Sequence, residues 1–362
     1  MDFVARNLIQ KHRRLSRGAA TAFLAGLPAD IQAQILAAAE SHPDQIAETL
    51  DAICRSVPGP VPPGRFGPPW PMPGRPRPVV LRGFMNTALG NGPSNGMAAL
   101  QKALAARGAE WPWFRVDCEP ARADEMAWFW CWADTEELLD WDAAGRPYAC
   151  GPNILFTCSS APGRTLAERR IVASPHCRLL FTESLWYARL IRGHLGPASR
   201  ARLAVWPYPI DPRPGPPLFP PKYELLIFSK GGPPALAGEL AGRWPSSITL
   251  RYGQFRREEL FEAARASRAC AYLSTDDRGP LALAEVLLAG CPAAGIERGA
   301  PWAALPGLGR AVERLEAGPL SAAIEELLTW DRRAVAAAAA TYWSEGRILD
   351  ILLPALDAAR RD

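Results

Sequence analysis

Lysine is scarce in this sequence. Of 41 basic residues in a chain of 362, four are lysines (Lys11, Lys102, Lys222, Lys230), which leaves 37 arginines. With 37 prolines beside them, this bias makes an arginine position weakly informative and a lysine position slightly more so. Histidine is equally scarce: His12, His42, His176 and His194 stand apart, and no Ser-His-Asp arrangement can be built from them. None of the eight cysteines forms a CxxC pair or a Cys/His cluster with zinc spacing, so buried free thiols in a reducing compartment are expected. No apolar run is long enough for a membrane: the longest, Pro280 to Ile296, is interrupted by Glu285. The opening MDFVARNLIQKHRRL has no apolar stretch after its charges, so no secretory signal is read there and a cytoplasmic protein is expected. Charge of one sign is also lacking. A net +4, from 41 basic against 37 acidic residues, is too even to argue for nucleic acid. The composition, 48% hydrophobic and 22% charged, excludes disorder throughout.

The pattern along the chain divides it. Residues 1–56 read as a small α-helical extension. Ile46, Leu50 and Ile53 recur at helical spacing, and Asp30 is placed to cap an earlier helix. Its start carries Arg6, Lys11, Arg13, Arg14 and Arg17 against Asp2 alone, a basic face suited to solvent, a protein partner or an anionic membrane surface. Residues 57–78 hold ten prolines in 22 positions, a composition of linkers rather than of helices or central strands. Beyond them, β-branched runs alternate with helical stretches: PVVLRGF, WFRVD, NILFT, RLLFTE and LAVWP over 79–206, then YELLIFS, SITLRY, ACAYLS and PAAGI over 223–345. A second proline-rich segment, 207–222, separates the two blocks. Such alternation predicts parallel sheets, hence two Rossmann-like α/β domains with ligands outside the carboxyl ends of their strands. GRILDILLPALDAARRD, over 346–362, is expected to be a terminal helix packing near the joint.

The most informative stretch is AYLSTDDRGPLALAEVLLAGCPAAG, from Ala271. It reads as a strand, a polar loop, a helix opening at Pro280, a stop at Gly290 and another short strand. The first turn of that helix presents free N–H groups and the positive end of the dipole, which suits a phosphate or diphosphate. Asp277 lies in the loop, and Glu285 follows eight positions later in the helix. A carboxylate there can accept two hydroxyl hydrogen bonds, as a ribose diol offers them.

Asp277-Arg278-Gly279-Pro280-Leu281, then Glu285 and Gly290-Cys291-Pro292, resemble the donor-site motif of retaining GT-B glycosyltransferases, in particular glycosyltransferase family 4. The resemblance covers roughly residues 79–345. It implies that Asp277 touches the transferred sugar, that the backbone at Gly279, Pro280 and Leu281 holds sugar and diphosphate with Arg278 alongside, and that Glu285 holds the ribose. It further implies that Lys230 and Gly231 supply positive charge to the diphosphate. Tyr252, Gly253 and Phe255 would lie near the base, and the loop of Gly90, Asn91 and Gly92 would face the donor phosphate and the acceptor. This chain departs from the motif in three ways: Asp for the usual first Glu, Arg278 for a small residue, and no Arg just before Lys230.

The activity so implied is transfer of a hexose-type sugar, with retention, from a nucleotide-diphosphate sugar to a glycan, lipid or protein acceptor. The nucleotide sugar is a substrate, and neither a cofactor nor a metal is expected. The location implied is cytoplasmic, peripheral at the inner membrane face if residues 1–56 bind there. Two other readings use the same fold: a degenerate, non-catalytic binding subunit and a nucleotide-sugar epimerase. The dense tryptophans Trp111, Trp113, Trp128, Trp130, Trp132 and Trp141 are read mainly as packing.

Overall fold

The structure is a computed structural model that describes residues 32–33, 78–82, 93–107, 114–116, 125–129, 135–151, 166–207, 209–210, 216–275, 281–297 and 307–361. Two parallel sheets organise it. The first contains β1 (Val79–Arg82), β2 (Phe114–Val116), β3 (Met126–Phe129), β4 (Tyr148–Cys150), β5 (Cys177–Thr182) and β6 (Arg202–Val205), in the order β2-β1-β3-β4-β5-β6. The second contains β7 (Tyr223–Lys230), β8 (Ser247–Arg251), β9 (Ser267–Ser274), β10 (Ala293–Ile296) and β11 (Gly309–Val312), in the order β11-β10-β9-β7-β8.

Helices cover both faces of each sheet, which is why the strands read as unbroken apolar runs. In the first sheet Val79, Leu81, Trp128, Leu179 and Phe181 share one core, and Val80, Phe129, Cys150 and Leu180 the opposite one. The former lies under α1 (Pro93–Ala106). The latter lies under α2 (Thr135–Ala143), α3 (Leu166–Ala173) and α4 (Leu185–Arg192), through Leu138, Trp141, Ile171 and Ile191. In the second sheet Leu226, Phe228, Cys270 and Tyr272 face α6 (Arg257–Ala266), α7 (Leu281–Leu288) and α9 (Arg332–Tyr342). Leu225, Ile227, Ala269, Ala271 and Leu273 face α5 (Pro234–Arg243) and α8 (Ala317–Leu327). The period of two along each strand thus sorts side chains between two cores.

The last helix, α10 (Glu345–Arg361), follows the second sheet in sequence and packs on the first. Ile348, Leu349, Leu352, Leu353, Leu356 and Ala359 form its buried stripe. Trp206 Nε1 donates to the Ile348 carbonyl at 2.9 Å, and Arg107 pairs with Asp350 at 3.0 Å. Each large aliphatic side chain in that stripe contributes about 1.5–3 kcal/mol of burial at most.

Most strands coincide with the expected runs. NILFT lies outside the described residues, as do the Pro-rich segment before Pro78 and nearly all of residues 1–56. Three strands were not anticipated: β3, within the tryptophan-rich stretch read as packing; β4, only three residues long; and β11, whose GRAV carries neither alternation nor a sustained apolar run. Trp128 and Trp141 are fully buried in the two cores of the first sheet.

Candidate functional site

The second sheet grows in opposite directions from β7: β8 lies on one side and β9 on the other. In an open parallel sheet, the crevice outside the carboxyl ends at such a reversal is where ligands bind. Lys230 ends β7 and Ser274 ends β9, and the two are register partners at that edge. Alternation places Lys230 on the Leu226 and Phe228 side, and Ser274 on the Cys270 and Tyr272 side, which is the same face of the sheet.

The turn after Lys230 is built around glycine. Gly231 has φ +75° and bridges to Ser274, while Thr275 Oγ1 donates to the Gly231 carbonyl at 3.4 Å. At Gly232 a Cβ would lie 2.8 Å from the Leu273 side chain and carbonyl oxygen, so no side chain fits. These two glycines let the chain turn tightly against the end of β9.

Tyr252 follows β8 directly. Its N–H donates to the Ser229 carbonyl at 2.9 Å, and the side chain is 59% exposed. The Lys230 ammonium lies 4.8 Å from its ring centroid, a cation–π contact. Gly253, at φ +82°, reverses the chain behind it. Phe255 behaves differently: it is partly buried and meets Phe228 edge-on at 5.6 Å. Of the two aromatics, Tyr252 has a face open to a ligand, and Phe255 packs on the core.

Leu281 opens α7 and packs against the cores of both sheets, so this helix N-terminus sits at the junction of the two halves. Glu285, one turn further on, is 7% exposed. Arg257, in the first turn of α6, donates from Nε to Glu285 Oε1. Beside it, the Arg256 N–H donates to Glu259 Oε2 at 2.9 Å, and that bond holds the Glu259 carboxyl below its usual pKa.

The closing Gly290-Cys291-Pro292 has a packing role. Gly290 takes φ +76° after α7, and a Cβ there would lie 2.6 Å from the Arg332 carbonyl oxygen. Buried Arg332 in turn donates to the carbonyls of Gly290, Leu218, Ala264 and Arg265, which ties the segment before β7 to the second core. Burial pushes the Cys291 thiol up to about 12, so it is an inert core group.

The structure therefore brings Lys230, Gly231, Tyr252 and Gly253 together at the carboxyl edge of the second sheet, and places Leu281 and Glu285 on α7, which packs on the same core and is joined to α6 through Arg257. Asp277, Arg278, Gly279, Pro280 and the loop Gly90, Asn91 and Gly92 lie outside the described residues. Two neighbours escaped the sequence reading. Arg257 is one arginine among many, and Ser274 is the polar last residue of an apolar strand. A cavity of about 290 Å³ lies elsewhere, at the joint between the halves, lined by Lys102, Ala103, Ile210, Leu288, Trp343 and Ile348. It meets α7 at its carboxyl end, through Leu288, and neither Lys230 nor Glu285 lines it.

Two Rossmann-like parallel-sheet domains, with a C-terminal helix returning to the first, define the GT-B fold. Known structures of this fold include Anabaena HepE, solved in complex with UDP and glucose. It is 12% identical, with 78% of this chain and 100% of that chain covered at a TM-score of 0.54. The lipopolysaccharide outer core galactosyltransferase WaaB, in its apo form, is 10% identical, with 77% and 99% covered and a TM-score of 0.52. At such identities the likeness is one of fold. No protein-family model matches the sequence, and no curated protein matches it.

Proposed function

We propose that this chain is a retaining glycosyltransferase that moves a hexose-type sugar from a nucleoside-diphosphate sugar to a glycan, lipid or protein acceptor. The observation that carries this reading is Lys230 and exposed Tyr252 at the sheet reversal, with α7, which carries buried Glu285, packed on the same core as the strands they end or follow. An aromatic face, a cation, a helix N-terminus and a carboxylate are what a base, a diphosphate and a ribose diol require. HepE structures with UDP-glucose, and the galactosyltransferase WaaB, lend support by fold.

In this account Tyr252 and the Gly253 turn stack the base, and Glu285 accepts from the ribose hydroxyls. Lys230, Gly231 and the backbone from Gly279 through Pro280 to Leu281 hold the diphosphate, with Arg278 beside it. Asp277 orients the transferred sugar, and the Gly90–Gly92 loop faces the phosphate from the other domain. During transfer the bond from the anomeric carbon to the diphosphate oxygen breaks. The acceptor oxygen bonds to that carbon on the same face, and its proton passes to the departing diphosphate. Lys230 and the helix N-terminus stabilise the charge that grows on the leaving group, a role worth about 3–4 kcal/mol per well-placed donor. Among the described residues no helix is long and apolar enough to cross a membrane. Residues 1–56 would supply any peripheral attachment at an inner membrane face.

The test is a panel of nucleoside-diphosphate sugars assayed for release of the nucleoside diphosphate, with and without candidate acceptors. Lys230→Ala should lower turnover about a hundredfold while the chain remains folded. Turnover unchanged in that variant would remove Lys230 from the reaction.

A further inference from the structure

Ser274 is 4% exposed, and its Oγ has no hydrogen-bond partner. A buried hydroxyl left unpaired destabilises a fold, so one that persists calls for a physical cause. Its position supplies one. Ser274 is the last residue of β9, the register partner of Lys230, on the same face of the sheet and at the point where the strand order reverses. Gly231 bridges to it, so the turn that follows Lys230 is fixed against it. Tyr272, two residues earlier on the same face, stacks on Phe228 at 5.1 Å and closes the sheet beneath it. The unmet hydroxyl thus stands at the crevice edge beside a cation, over an apolar floor.

We infer that Ser274 is a further ligand-binding residue, whose hydroxyl donates to a phosphate oxygen of the nucleoside diphosphate held by Lys230. This rests on the donor-site reading above and adds to it a neutral donor that the sequence motif did not mark. A hydroxyl beside an ammonium is well suited to a phosphate oxygen, because the bond to a charged acceptor is stronger than one between neutral groups. The hydroxyl is unsatisfied without ligand and satisfied with it, so stability and binding should respond to its removal in opposite senses.

The experiment compares wild type, Ser274→Ala and Ser274→Cys, the last nearly isosteric and a weaker donor. For each, the unliganded melting temperature is measured, and calorimetry follows binding of a nucleoside diphosphate and of the corresponding nucleoside. Ser274→Ala should melt at or above the wild-type temperature. It should bind the diphosphate about tenfold more weakly and bind the nucleoside unchanged. Ser274→Cys should fall between the two. Equal affinity of wild type and Ser274→Ala for the diphosphate overturns the inference and leaves the donor-site reading standing. An equal loss for nucleoside and diphosphate also overturns it, since the hydroxyl would then act away from the phosphates. A wild-type chain that binds none of UDP, GDP and ADP overturns the donor-site reading, and this inference falls with it.

Discussion

The Arg257 guanidinium donates to the Glu285 carboxylate, joining the first turn of α6 to the middle of α7 with side chains only 11% and 9% exposed. A cation in the first turn of a helix opposes the helix dipole, and burying an ion pair costs desolvation on both sides. Such a pair stabilises no better than apolar packing. Its use here is to hold the carboxylate that the donor reading assigns to a ribose diol. A carboxylate accepts about four hydrogen bonds, so the bond from Arg257 does not by itself exhaust it.

The first prediction follows from that pair. Arg257→Met should destabilise the chain by about 3–5 kcal/mol, because it leaves a buried carboxylate without its cation. The double variant Arg257→Met with Glu285→Leu should regain most of that stability and still fail to bind nucleotide. Urea denaturation and calorimetry separate the two effects. Full stability in the single variant would show that the pair is not closed in solution.

Gly290 offers a test of the fold around the site. Gly290→Ala places a side chain at φ +76° and against the Arg332 carbonyl oxygen. A loss of about 2 kcal/mol or more is expected in urea denaturation. A variant as stable as wild type would contradict the helix ending described for α7.

Arg332 carries a separate prediction. Burial pushes its pKa below the usual arginine value, yet its guanidinium satisfies four carbonyls. Arg332→Met should cost about 3 kcal/mol, since those acceptors lose a charged donor. Limited proteolysis should then cut between residues 216 and 222 faster than in wild type.

The thiols give a pH prediction. Cys150, Cys177, Cys270 and Cys291 are buried and free, and burial raises the pKa of each. At pH 8 iodoacetamide should leave these four unmodified in the folded chain and label them in urea. Peptide mass spectrometry reads the outcome. Labelling of the folded chain would contradict the cores in which they lie.

The fold was legible because fully buried parallel strands leave a plain signal: apolar β-branched runs separated by helical stretches, with proline-rich breaks between blocks. The strand at Tyr148–Cys150 was not legible, because three residues carry no period. The return of α10 to the first sheet also exceeded the sequence, since its apolar stripe says that it packs but not on which sheet. In the candidate site, Glu285 and Lys230 stood out through spacing and the rarity of lysine. Arg257 did not, because its importance lies in a contact between two helices 28 positions apart in sequence. Ser274 became notable only once the sheet order placed it opposite Lys230.

The most direct test of the account is calorimetric titration of the folded wild-type chain and of Glu285→Ala with UDP, GDP and ADP. The account predicts that wild type binds one of these nucleoside diphosphates and that Glu285→Ala, still folded by circular dichroism, binds it at least tenfold more weakly. Equal binding by both proteins, or no binding by wild type, would contradict it.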